Sequence, residues 1–453
     1  MLIYNAKVVT WDNPNQILDD SAVYIQGNLI KEIGPSKDLY KKYSGDEKVI
    51  DAEGQLLMPG QICAHTHFYG AYSRGLYVPG VPSRGFPEIL QNLWYRLDRS
   101  LDEESTRLSG EIFVIDAIKN GCTTLFDHHA SPNFIDGSLD VLEDVIDRSG
   151  LRGSLCYEVT DRNGMAGAKA GIHENERFIK KISKNNHGGR LSAKFGIHAS
   201  LTVSDETLDG CAEACPAGYG FHVHCAESKE DQWDSLYKYG KRVVERMYDH
   251  KILGDHTIVA HAVHCDMHEM ELLKETGTWV SHQPRSNMNN AVGAAPVESM
   301  LHDGMKVCLG NDGFTFDMWS EWKMAYYLQK VMALDPRRMN ANDVAQMAVY
   351  NNGALSGQEF GYGEKFGKIV VDAPADLILV DYKPFTALTP GNIAWQVIFG
   401  MSERMITTTI CDGKILMENR RLLTMDEDDV IARSQKKYPE VWKKFNELSA
   451  AGK

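Results

Sequence analysis

The stretch LLMPGQICAHTHFYG, residues 56–70, decides how this chain is read. A Pro-Gly turn at 59 and 60 leads into an apolar run that ends on His65 and His67, and a Gly-Ala-Tyr loop follows. Alternate residues of a strand face the same way, so the spacing predicts two imidazoles on one side of a strand end. A metal held at such a mouth is open to solvent, which is the geometry of a catalytic site. Two histidines among 16 also fall two apart by chance, so the pair needs further donors.

Those donors are present. YGFHVHCAES, 219–228, reads as a short strand carrying His222 and His224 at its end, with Glu227 three residues past His224. HTIVAHAVHCD, 256–266, is a β-branched strand ending in His261, with His264 beyond it. TWVSHQPRSN, 278–287, ends its strand in His282, and MKVCLGNDGF, 305–314, leads to Asp312. Helix-length stretches separate most of these runs, and strand alternating with helix predicts an α/β fold with a parallel sheet. In a (β/α)8 barrel the carboxyl ends of the strands open on one face, so donors far apart in sequence converge on one ion. Histidines placed at random would not sort themselves to strand ends.

The stretches MLIYNAKVVTWD, LLMPGQICAHTHFYG, FPEILQNLWYRLDRSL, FGIHASLTVSDETL, HVHCAES, SHQPRSN, LGNDG and APADLILVDY follow one another along nearly the whole chain. In this order they resemble the metal-dependent amidohydrolase superfamily, in its branch of purine- and triazine-type aminohydrolases and chlorohydrolases. The resemblance implies a TIM-type barrel and Glu227 as an acid/base partner. It also implies that His261 polarises the substrate or holds water, and that His198 touches substrate. Asn311 in LGNDG, where relatives often carry Thr, is a departure beside Asp312.

Residues 1–57 alternate apolar and polar residues between turns, as in AKVVTW and SAVYIQGNLIKEIG. Residues 358–425 do the same in GKIVVDAPADLILVDY and TTTICDGKILMENRRLL. Neither segment has enough strands to bury a face alone, which predicts one small composite β-sandwich made from both termini. Residues 58–357 are left for the barrel, and 426–453 read as a charged helical tail with no assigned chemistry. The chain has 453 residues, 43% of them hydrophobic, so it can bury a large core, and its formal charge of −14 disfavours nucleic acid or an anionic membrane as partner. No signal-like N-terminus or membrane-length apolar run is visible, and nine scattered cysteines read as reduced thiols. The expectation is a cytoplasmic enzyme with a small heterocyclic substrate, assembled as a homodimer or other homo-oligomer.

Three neutral imidazoles and a carboxylate around one divalent ion leave a position for water, whose pKa the ion lowers toward neutrality. His65, His67, His224 and Asp312 form the expected ligand set; zinc is the expected ion, with iron or manganese as alternatives. Asp312 is also placed to accept the water's proton. His222 lies one residue pair deeper than His224 and is expected to be structural. Lys194 invites a carboxylated bridge between two metals, but His198 occupies that strand end, so one metal is expected. His282, Arg285 and Trp94, the last in the long 68–108 loop, are candidate substrate contacts beside His198. His282 has the alternative of capping the next turn, and aromatic residues on a helix are more often core. His128 and His129 read as rim contacts. The resemblance implies hydrolysis at a C–N bond of a purine or oxopurine-like ring, first as deamination. Opening of a cyclic amide or amidine, and a metal-binding scaffold without catalysis, are the alternatives.

Overall fold

A computed structural model describes residues 1–45 and 48–451. Its centre is a (β/α)8 array. The strands are Gln61–Thr66, Cys122–His129, Arg152–Tyr157, Leu191–Ala199 broken at Lys194, Phe221–Cys225, Ile258–His261, Trp279–His282 and Val307–Leu309. Neighbours pair in parallel and in chain order. An isolated bridge between Val159 and Ile197 adds to the contact between the third and fourth strands. At the seam, Asn311 and Asp312 both donate backbone N–H bonds to the His65 carbonyl, at 3.0 and 3.1 Å, so the first and last strands meet. The strands are buried on both faces, as helices on a parallel sheet require: every residue of Cys122–His129 is buried. Glycine is needed at the seam, because a Cβ on Gly310 would lie 2.8 Å from the backbone of His65.

The two terminal segments join as expected, but in one mixed nine-stranded sheet in place of two separately bonded sheets. The reason is Leu56–Pro59. This short strand pairs in parallel with Leu2–Val9 and antiparallel with Leu377–Val380, so it stitches the halves edge to edge. Ile3, Val8, Val23, Leu57, Leu377 and Ile410 form a core of their own on this sheet.

The long loop after the first barrel strand is ordered as short helical turns. Phe86–Ile89 leads into a π turn, Leu90–Trp94, and then into Tyr95–Arg99. The C-terminal helix, Glu427–Ala450, lies across this lid. Its Val441 and Phe445 are buried with Tyr69, Tyr72, Leu97 and Leu101, and the Trp442 indole donates to the Tyr72 carbonyl at 3.0 Å. Among the described residues no helix is long and apolar enough to cross a membrane.

Candidate metal centre and active site

His65 and His67 end the first strand, His224 the fifth and His261 the sixth, while Asp312 follows the eighth. The backbone is bent to aim several of them. His261 and Asp312 adopt left-handed φ values of 77° and 60°, and Ala226, which precedes Glu227, adopts 48°. Strain of this kind in non-glycine residues persists where the surroundings enforce it.

Each of the three strand-end imidazoles has its Nδ1 engaged. His67 Nδ1 donates to the His128 carbonyl at 2.6 Å and His224 Nδ1 to the His198 carbonyl at 2.8 Å, while His65 Nδ1 lies 2.8 Å from His222 Nε2. Carbonyls only accept, so the Nε2 atoms of His67 and His224 carry lone pairs. Yet these two atoms face each other at 3.1 Å, and Asp312 Oδ1 sits 3.1 Å from His67 Nε2 and 3.8 Å from His65 Nε2. His65 Nε2 is buried without a hydrogen-bond partner. Converging lone pairs and a carboxylate repel unless a cation lies among them. Bonds of about 2.0–2.1 Å in a tetrahedron give donor separations of about 3.3 Å, close to those seen. The residues fit a divalent ion.

The charges respond to burial and to Asp312. Burial pushes the imidazoles of His65, His198, His222 and His224 well below their ordinary range and takes His261 down to about 4. Burial acts on His67 in the same direction, but Asp312 and Glu158 overcome it and raise this group to about 9. Asp312 is held below the carboxylate range, its burial overcome by the hydrogen bond and charge of His67. Glu227 moves the other way, raised well above its usual value by burial and then by the Asp312 charge.

Glu227 Oε2 lies 3.4 Å from His261 Nε2, which is 3.7 Å from Asp312 Oδ2. Asn287 Nδ2 donates to His261 Nδ1 at 2.9 Å, so the Nε2 hydrogen points at these carboxylates. Ser286 Oγ donates to Asp312 Oδ2 at 2.6 Å, and Asn290 reaches Glu227 Oε1 at 3.4 Å. A cavity of about 350 Å³ opens above. His67, His224, Glu227 and Asp312 line it together with His198, Trp94, Phe86, Tyr69 and Phe314.

Other candidates lie elsewhere. Arg285 does not line the cavity: its guanidinium is paired with Glu321 at 2.5 Å and donates to the Thr315 carbonyl at 2.6 Å. His282 is fully buried and also outside the lining. His128 and His129, expected at the rim, are buried beneath the site, where His128 stacks on His222 with ring centroids 4.6 Å apart. Lys194 bonds the His256 carbonyl at 2.8 Å and pairs with Glu359 at 2.5 Å, away from the ligand set. Sequence reading missed Glu158, which follows the third strand. It lies 3.3 Å from His67 Nδ1 and 3.4 Å from His128 Nδ1, and burial raises it to about 8. The strand-end rule that found the histidines would have found it in LCYEV. Ser286 and Asn290 carried no such signal.

A (β/α)8 array with metal donors at its strand ends and a buried Glu–His pair beside them defines a metal-dependent hydrolase. The Amidohydrolase family model matches residues 56–416, and the chain belongs to that family. A 5'-deoxyadenosine deaminase of Methanosarcina mazei is 31% identical over 98% of this chain and 99% of its own. A zinc-containing adenosine deaminase from Xanthomonas campestris superposes with a TM-score of 0.83 at 21% identity, covering 98% of both chains. A zinc-containing variant of atrazine chlorohydrolase from Arthrobacter aurescens gives 0.82 at 19% identity, over 97% of this chain and 100% of that one.

Proposed function

We propose that the protein is a deaminase that replaces the exocyclic amino group of an adenine-type purine by oxygen, with one zinc ion at the strand ends. The observation that carries this reading is Glu227 and Asp312 lining the cavity with the buried His261 beside them, 3.4 Å from Glu227 and 3.7 Å from Asp312, where burial raises the Glu227 carboxyl well above its usual range. The name of the Methanosarcina relative supports the adenine ring. The two donor groups at the strand ends, His65–His67–His128–His224 and His65–His261–Asp312, share His65, which supports one ion there.

A divalent ion held by His65, His67, His224 and Asp312 would supply Lewis-acid activation of the attacking water. Glu227, kept protonated by burial, donates to the ring nitrogen beside the attacked carbon, which makes that carbon electrophilic. Asp312, kept ionised beside His67, accepts a proton from the water. His261, buried behind the cavity lining, presents its Nε2 hydrogen to Glu227 and Asp312 and holds the two carboxyl groups in place. Asp312 then passes the water's proton to the amino group, which leaves as ammonia, while the new hydroxyl's proton returns to Glu227 and the ring nitrogen keeps the one it received. Tyr69, Phe86, Trp94 and Phe314 offer flat faces to a heteroaromatic ring.

Incubation of zinc-loaded enzyme with adenosine, 5'-deoxyadenosine and guanine, read by mass spectrometry and ammonia release, tests the reading. Exchange of an amino group for oxygen with one equivalent of ammonia is expected. Gain of a whole water without ammonia would show ring opening in its place, and no product from any adenine compound would sink the proposal.

A further inference from the structure

Arg74 is the one lysine or arginine among the residues that line the cavity. It follows the 3-10 turn Phe68–Ser73 and precedes Gly75, whose φ of 77° turns the chain away. No ion pair or side-chain hydrogen bond holds its guanidinium among the described residues. The other arginines near the site are committed. Arg285 pairs with Glu321 at 2.5 Å, and Arg162 pairs with Asp98 over the Tyr95 ring. Asp116 feels the Arg74 charge, but its Oδ2 already accepts the Phe316 N–H at 2.8 Å and its Oδ1 the Asn120 amide at 3.3 Å. A chain with 62 acidic and 48 basic side chains thus leaves a cation unpaired on this wall.

The lining differs in exposure: Glu227 is buried and Asp312 half-buried, whereas Arg74 is exposed. A ring held at the buried Glu227 and Asp312 leaves the exposed, solvent-facing part of the same lining, where Arg74 lies, for its remote substituent. An anion there keeps part of its hydration, and the planar guanidinium fork matches carboxylate and phosphate oxygens alike. We infer that Arg74 selects substrates whose end remote from the reacting ring carries an anionic oxygen group. This rests on the purine-deaminase reading for the ring end only.

The test compares kcat/KM of the zinc-loaded enzyme and its Arg74→Met variant on three compounds with one ring: 5'-deoxyadenosine, S-adenosylhomocysteine with its carboxylate, and adenosine 5'-monophosphate. Methionine keeps an apolar stem and removes the charge. The enzyme is expected to favour one anionic compound over 5'-deoxyadenosine, and R74M to lower that preference about 10- to 100-fold, mainly through KM, as loss of a charge-assisted hydrogen bond implies. Which anionic compound responds separates carboxylate from phosphate. Preference for 5'-deoxyadenosine over both, or an equal loss on all three, overturns the inference. If none is deaminated, the deaminase reading falls by itself, and calorimetric binding of the two anionic compounds then decides: weakening by R74M supports Arg74, while equal binding or none overturns it.

Discussion

Glu227 is buried and 3.4 Å from His261, and burial raises it well above its usual range, which favours the proton the proposed mechanism uses. Glu227→Gln keeps size and polarity but removes that proton. Turnover is expected to fall about 10²- to 10⁴-fold with zinc content unchanged, measured by steady-state kinetics beside elemental analysis; turnover within threefold of the parent would remove Glu227 from the mechanism. His222 acts one step further out, through its 2.8 Å contact with His65 Nδ1. His222→Ala frees the His65 ring and should weaken zinc about 10- to 100-fold in competition with a chromophoric chelator, and equal affinity would deny His222 any positioning role. Strand-end histidines were legible because alternation in a short apolar run fixes which side chain faces the mouth. QPRSN was less so. Pro284–Asn289 is a helical turn, in which successive residues point about 100° apart. Ser286 therefore faces Asp312 and Asn287 supports His261, while Arg285 turns to Glu321. A strand-based reading of the same five letters puts the wrong residue in the site.

At the scale of elements, the lid and the C-terminal helix belong together. Trp94 ends the π turn that lines the cavity and packs edge-on to Tyr69 at 6.1 Å, and Tyr69 shares a cluster with Phe445 of the C-terminal helix. Asp102, just after the lid helices, is bonded by Lys437 at 2.7 Å from the same helix. The amphipathic pattern of 427–450 is readable in sequence, but its partner is more than 300 residues away and leaves no local trace. Phe445 is fully buried, so Phe445→Ala should cost about 3–5 kcal/mol of local packing. The expected result is a raised KM with the zinc content retained, because the lid loses its backing while the ligands keep theirs. A variant with parental KM would show that the helix stabilises the fold without setting the cavity.

For the whole molecule, the pairing of the two termini was legible from their shared alternation, whereas the weld between terminal sheet and barrel was not. Arg152 begins the third barrel strand and is fully buried. It binds Asp376, just before the strand Leu377–Val380, at 2.8 Å, Asp412, in a turn of the terminal sheet, at 2.5 Å, and the Gly189 carbonyl at 3.0 Å. Phe360, Tyr362 and Phe366 enclose the guanidinium at 5.2–5.9 Å. In sequence this arginine is one basic residue in an apolar run, and nothing local names acids 224 and 260 residues away. A buried charge stripped of a partner is costly, while replacing the whole group by apolar residues is often neutral. Asp376→Ala should therefore lower stability by about 3–5 kcal/mol in denaturant titration, and Arg152→Met combined with Asp376→Leu by clearly less than the single change. Because this network sits at the start of the strands and the metal donors at their ends, kcat of the folded fraction should stay at the parental value in both. A loss under about 1 kcal/mol for Asp376→Ala would mean that the two sheets are held by their apolar contacts alone, with the ion network a passenger.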